Sequence, residues 1–188
     1  NMEISVHKYC KCNIIELIGI ACPGPLDALT GQILNTPHLT ILQNINLKNE
    51  LAKRLEINYR KIKIENDANM FALGSYNRLN NKNNCKVLVG VTLGTGFGVG
   101  IIINGTLFTG GFGLAGEYEV SPLLENKTWT DLVGYRFFNE ITRRYFGKIH
   151  TPKEIYDFTN PNTNTYCRAM DIWKHYGINI ALCFLINF

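Results

Sequence analysis

The spacing of apolar positions changes several times along the chain, and each change predicts an element. "IIELIGIA", Ile14 to Ala21, reads as a strand closed by "CPGPLD", where Pro23, Gly24 and Pro25 force a loop. "GQILNTPHLT" is irregular, with Pro37 breaking any helix. Leu47, Leu51 and Leu55 recur at i, i+4 and i+8, which predicts an amphipathic helix over Asn46–Ile57 with a polar opening at Asn46. In "YRKIKIE" Ile62 and Ile64 alternate with charged residues, as in a strand, and "ANMFALGSYNRL" returns to a helical period with Met70, Leu73 and Tyr76 on one face. After the loop "NNKNN", three closely linked β-rich runs, "KVLVGVTLG", "FGVGIIING" and "TLFTG", predict an antiparallel meander. "GGFGLAGEYEVSP" is a glycine-rich loop. One helix is expected from Thr128 or Thr130 to about Phe146, a second after the Thr151–Glu154 capping box, and a long third one in "NTYCRAMDIWKHYGINIALCFLINF". A short helix is also expected over residues 3–12. The pattern is α/β, with a boundary expected just before Asp67: a partial lobe over residues 1–66 and a second over 67–188.

Composition narrows the class. With 188 residues, 46% hydrophobic and 18% charged, the chain has enough apolar material for a packed core. A net charge of +4 is mild, and the densest basic patch, "TRRYFGK", reads as a solvated helix face, so nucleic acid is not an expected partner. The cysteines are Cys10, Cys12, Cys22, Cys85, Cys167 and Cys183; none forms a CxxC pair, and no zinc site is expected. Buried, reduced thiols in a cytoplasmic protein are the simplest account. The polar amino terminus is unlike a signal peptide, and "INIALCFLINF" is about half of what a membrane span needs, so no membrane association is expected. That apolar run continues to Phe188 without a stop signal, as in a chain that is cut short or docks its end.

Three stretches carry candidate chemistry. "GVTLGTGFGVG" places five glycines between two strands, where backbone N–H groups can approach phosphate oxygens; a plain glycine-rich hairpin is the alternative. No Gly-Lys-Ser/Thr follows, and a strand rather than a helix comes next, which excludes a Walker loop and a dinucleotide fingerprint. "IENDAN" at a strand-to-helix junction suits either an N-cap or a site. "AGE", Ala115 to Glu117, is by itself a lone carboxylate in a flexible loop.

Taken together and in order, "IGIACPGPLD", "IENDANMFALG" and "GVTLGTGFGVGIIINGTLFTGGFGLAGE" resemble the ROK family (repressor, open reading frame, kinase), most strongly over residues 18–37 and 62–117. The resemblance implies an α/β, ribonuclease H-like fold of the actin/hexokinase type, and glucokinase-like transfer of the ATP γ-phosphate to a hexose hydroxyl. It implies Asp67 as general base and Asn66, Glu117 and Gly24 as sugar-binding residues. It places Gly94, Thr95 and Gly96 at the ATP phosphates, with Mg²⁺ as the accompanying ion, and allows a homodimer. Asp67 is expected to cap the following helix while its carboxylate faces a cleft.

Four departures accompany the resemblance. The family's opening Asp-x-Gly-Gly-Thr turn is absent, as is the Gly-Gly motif after the last helix. Val120 stands where a His is common, the CxCGxxGC zinc motif is missing, and Thr130 replaces a usual Glu. Ser75 replaces an acid in "ALGE". A fragment or degenerate relative is therefore expected, unstable, self-associating and weakly active when alone. A sugar-responsive repressor domain and a non-catalytic sugar binder stay open as alternatives.

Overall fold

The computed structural model describes residues 15–36, 40–81, 84–119, 121–124 and 127–187. The helix expected over residues 3–12, Cys10, Cys12, Pro37, loop residues 82–83, Val120 and Phe188 lie outside them. The chain forms two compact units: Asn1–Val91 with Val99–Glu117, and Thr92–Gly98 with Tyr118–Phe188. The boundary expected before Asp67 falls inside the first unit, because the helix that begins there is seated on strands of the same unit.

In the first unit, strand β1 (Ile18–Cys22) leads into a small hairpin, β2 (Leu26–Asp27) and β3 (Gln32–Ile33), where sequence alone suggested only irregular chain. The Asp27 carboxylate shapes its turn, accepting from the Leu29 N–H at 2.9 Å and the Thr30 hydroxyl at 2.7 Å. Helix α1 (Leu47–Leu55) begins where expected: the Asn46 side chain accepts from the Asn49 N–H at 2.9 Å. Strand β4 (Ile62–Asn66) then pairs parallel with β1, Ile18 opposite Ile62 and Cys22 opposite Asn66. The period-two pattern sends Ile20, Cys22 and Ile64 toward one face, where they pack with Leu26, Ile33, Leu42 and Leu47 into the unit's core.

Helix α2 (Asp67–Asn77) follows without a loop. Its buried residues are Ala68, Asn69 and Ala72, whereas Met70 is 41% exposed. Small residues face inward where the helix lies directly over glycines of the strands below. A Cβ on Gly90 would come within 2.7 Å of the Ala72 Cβ, and one on Gly100 within 2.6 Å of the Ala68 carbonyl. Those strands are β5 (Val87–Leu93) and β6 (Phe97–Ile103), which with β7 (Thr106–Leu107) form the expected three-stranded sheet in the order β5-β6-β7. Asn104 and Gly105, with φ of 50° and 79°, make the tight turn between the antiparallel β6 and β7.

In the second unit, β8 (Pro122–Leu124) and β9 (Lys127–Thr128) form a short hairpin, and helix α3 (Trp129–Val133) starts at a Thr128–Asp131 capping box. The single helix expected to Phe146 is broken at Gly134, which is extended (φ −84°, ψ −175°); α4 (Tyr135–Phe146) begins after it. The physical reason is a close backbone approach: a Cβ on Gly134 would lie 2.6 Å from the Thr130 carbonyl and 2.8 Å from that of Thr95. Helix α5 (Pro152–Asp157) opens at the expected Thr151–Glu154 capping box, and α6 (Tyr166–Asn187) is the long last helix. Phe138, Ile155, Ala169 and Ile172 form the core shared by α4, α5 and α6. Among the described residues no helix is long and apolar enough to cross a membrane.

Candidate active site

The junction of β4 and α2 gathers most of the expected sugar-site residues. Asn66 is the N-cap of α2; its Oδ1 accepts from the N–H groups of Ala68 at 2.8 Å and Asn69 at 3.1 Å. Asp67, expected to cap the helix, is instead its first residue, because the Asn66 carbonyl oxygen of the side chain already occupies the capping position. The Asp67 carboxylate is exposed, and the one hydrogen bond described for it comes from the adjacent Ala68 N–H at 2.9 Å. It is felt at the neighbouring strand end: burial first, and the Asp67 charge second, push the Cys22 thiol above its ordinary pKa.

With its oxygen committed to the helix, the Asn66 amide presents its NH₂ outward, and Nδ2 donates to Glu117 Oε1 at 3.0 Å. Glu117 arrives there from a loop whose path depends on Gly116. That residue has φ +85°, and a Cβ on it would collide with the Val99 carbonyl of β6. Gly24, in a cis peptide bond to Pro25, borders the same pair: a Cβ on it would overlap the Glu117 carboxylate and the Asn66 amide. Gly24, Asn66 and Glu117 are thus brought together, with Asp67 next in the chain.

Two residues that sequence reasoning left without a role complete the junction. Glu65 Oε1 accepts from the Asn66 backbone N–H at 2.9 Å and from Asn69 Nδ2 at 3.0 Å. Asn69 is 2% exposed. The signal available in the sequence was the i, i+4 spacing of Glu65 and Asn69 across a strand-to-helix junction. A cavity of about 560 Å³ lies alongside, bordered by Gly19, Lys48, Lys63, Glu65 and Met70, and none of the expected site residues lines it.

The Gly94-Thr95-Gly96 turn belongs to the second unit. Gly94 and Thr95 are exposed, and the Thr95 carbonyl accepts from the Tyr135 N–H at 3.4 Å. Of the glycines in this run, Gly90 and Gly100 serve helix packing, as described above. Gly94 does not: its φ is ordinary and a Cβ there would meet nothing within 4 Å. The fold itself therefore has no need of glycine at position 94; its N–H donates to the Gly96 carbonyl at 3.2 Å, and the empty space beside it leaves room for close approach by phosphate oxygens. Among the described residues no group of three or more His, Cys, Asp or Glu side chains could hold a metal ion. That fits an ion of the Mg²⁺ type only if one or two carboxylates and the substrate's phosphates hold it, the usual arrangement for that ion. Also in this unit, Thr130 donates its hydroxyl to Glu119 Oε1 at 3.0 Å.

The ROK family model matches residues 6–119, and the chain belongs to the ROK family. It is 37% identical over 158 residues to an N-acetyl-D-glucosamine kinase of Histophilus somni, covering 73% of this chain and 50% of the relative. It is 37% identical over 100 residues to a glucokinase of Thermotoga maritima, covering 53% of this chain and 30% of the relative. A solved ROK family glucokinase from Streptomyces griseus, in complex with glucose and AMPPNP, superposes with a TM-score of 0.71 at 23% identity, covering 96% of this chain and 65% of that one. The fold is accordingly of the ribonuclease H-like, actin/hexokinase type. The chain spans about half the length of the curated relatives it matches.

Proposed function

We propose that these residues belong to a sugar kinase that phosphorylates a hexose or an N-acetylhexosamine at a hydroxyl group. The observation that carries the proposal is the Asn66–Glu117 pair, closely approached by the Gly24 backbone and adjacent in the chain to the exposed Asp67 carboxylate. Amide N–H donors and carboxylate acceptors, directed by neighbouring bonds, suit the paired donor and acceptor character of sugar hydroxyls. Asp67 is assigned as general base, taking the proton of the attacking hydroxyl. Base catalysis of this kind is worth roughly a hundredfold to ten-thousandfold. Asn66 and Glu117 orient the sugar, and the lack of a side chain at Gly24 lets that pair form. ATP with Mg²⁺ supplies the phosphoryl group when bound, and the Gly94–Gly96 turn is the proposed seat of its phosphates. The names of the relatives favour glucose and N-acetylglucosamine as first candidates.

Calorimetric titration of the 188-residue chain with each sugar tests the binding half of the proposal, and radiolabel transfer from ATP tests the chemical half. Saturable sugar binding that is lost in Asn66→Ala is expected. Binding of neither sugar, or binding unchanged by Asn66→Ala and Gly24→Val, rejects the assigned site.

A further inference from the structure

We infer that Glu65 is a positioning residue for the sugar site, acting through Asn66 rather than on the ligand; the inference rests on the sugar-site reading given above. The reason lies in how few orientations the Asn66 amide has. Its Oδ1 faces two backbone N–H donors, from Ala68 and Asn69. A flipped amide would set an NH₂ group against those donors and lose both bonds, so Nδ2 is directed to Glu117. This selection operates only while the Asn66 backbone and the first turn of α2 keep their relative positions.

Glu65 holds them together. One of its carboxylate oxygens accepts both from the Asn66 N–H, the last residue of β4, and from Asn69 Nδ2, in the first turn of the helix. Asn69 cannot swing away, because it is buried where α2 lies over Gly100. A charged acceptor makes these bonds stronger than a neutral one would, and a carboxylate beside a helix N-terminus is favoured further. The three acidic residues of the junction thereby divide their work. Glu65 is turned into the scaffold, Glu117 is engaged by Asn66, and Asp67 stays exposed.

The test compares Glu65→Ala, Glu65→Asp and Glu65→Gln with the parent chain. Two readouts are used: the Asn66 side-chain NH₂ signals in a ¹⁵N-correlated NMR spectrum, assigned through Asn66→Ala, and the Kd for glucose or N-acetylglucosamine. In Glu65→Ala the Asn66 NH₂ signals are expected to shift and their exchange with solvent to quicken, with sugar binding weakened about tenfold, the size of one lost charged hydrogen bond. Glu65→Gln, which keeps an acceptor in place, is expected to restore most of both. Glu65→Asp, one methylene shorter, is expected to behave like Glu65→Ala, and takes its place if that variant does not fold. Unchanged Asn66 signals in a folded Glu65→Ala or Glu65→Asp overturn the inference, as does failure of Glu65→Gln to restore them. If the parent chain binds neither sugar, the functional reading fails while the NMR comparison still decides the role of Glu65.

Discussion

The β4–α2 junction and the Gly94–Gly96 turn are built on opposite lines. At the junction the polar side chains are bonded to one another: Glu65 to Asn66 and Asn69, Asn66 to the helix and to Glu117, with the buried Asn69 Oδ1 alone of these left unpartnered. At the turn, Gly94 has empty space around it and Thr95 is exposed. The first region specifies side-chain orientation, which recognition of individual hydroxyls requires. The second leaves space beside the backbone, which suits a group recognised by charge and spread over several oxygens. One glycine-rich sequence serves both purposes, since Gly90 and Gly100 seat α2 while Gly94 stays clear of the fold.

Four substitutions or conditions probe that contrast, in falling order of effect. Gly116→Ala strikes the junction's scaffold. It forces a side chain onto φ +85° and into the Val99 carbonyl, and is expected to cost about 3 kcal/mol or more, read as a lowered urea midpoint. A midpoint within error of the parent would show that the loop carrying Glu117 is not held as described. Asp67→Asn should lower turnover by about a hundredfold or more, about 2.7 kcal/mol in the barrier, in any phosphoryl-transferring form of the protein. Its thermal stability should change little, because the carboxylate is exposed. Loss of stability without loss of turnover would reverse its assignment.

Gly94→Ala is the counterpart at the open turn. Since a Cβ there meets no atom within 4 Å, stability should change by less than about 0.5 kcal/mol, while nucleotide affinity falls. An unchanged affinity for an ATP analogue would remove the turn from the phosphate site. The smallest effect is at acid pH, in the second unit. The Thr128 backbone N–H holds the Asp131 carboxyl below its ordinary pKa, aided by the Thr128 hydroxyl and Arg136; the Thr151 backbone N–H does the same for Glu154. A folded-state pKa below the unfolded one contributes stability above the ordinary carboxylate range, and this is lost as pH falls through the lowered value. Melting temperature should therefore drop on acidification, and the slope should flatten in Asp131→Asn with little change at the junction.

Much of the local structure was legible because short-range rules govern it. Asn46 ahead of the leucine spacing, Thr151 three residues before Glu154, and the alternation of Ile62 and Ile64 each specify an element by themselves. The helix break at Gly134 was not legible. The "TDLVGYRFF" pattern is helical, and only the nearby Thr130 and Thr95 carbonyls make a residue without a side chain necessary. Nor was it legible which face of α2 is buried: it is the one small enough to lie on Gly90 and Gly100.

For the site, the sequence by itself determined which residue types were available and in what order: an Asn-Asp pair at a strand-to-helix junction, an Ala-Gly-Glu loop and a glycine-rich hairpin. Those are properties of neighbours along the chain, which motif spacing records. Only the tertiary structure decided that Asn66, not Asp67, caps α2, that its amide reaches Glu117 across 51 positions of sequence, and that Glu65 and Asn69 lock the arrangement. Hydrogen-bond direction and close packing depend on atoms brought together by the fold, and no pattern along the chain encodes their distances.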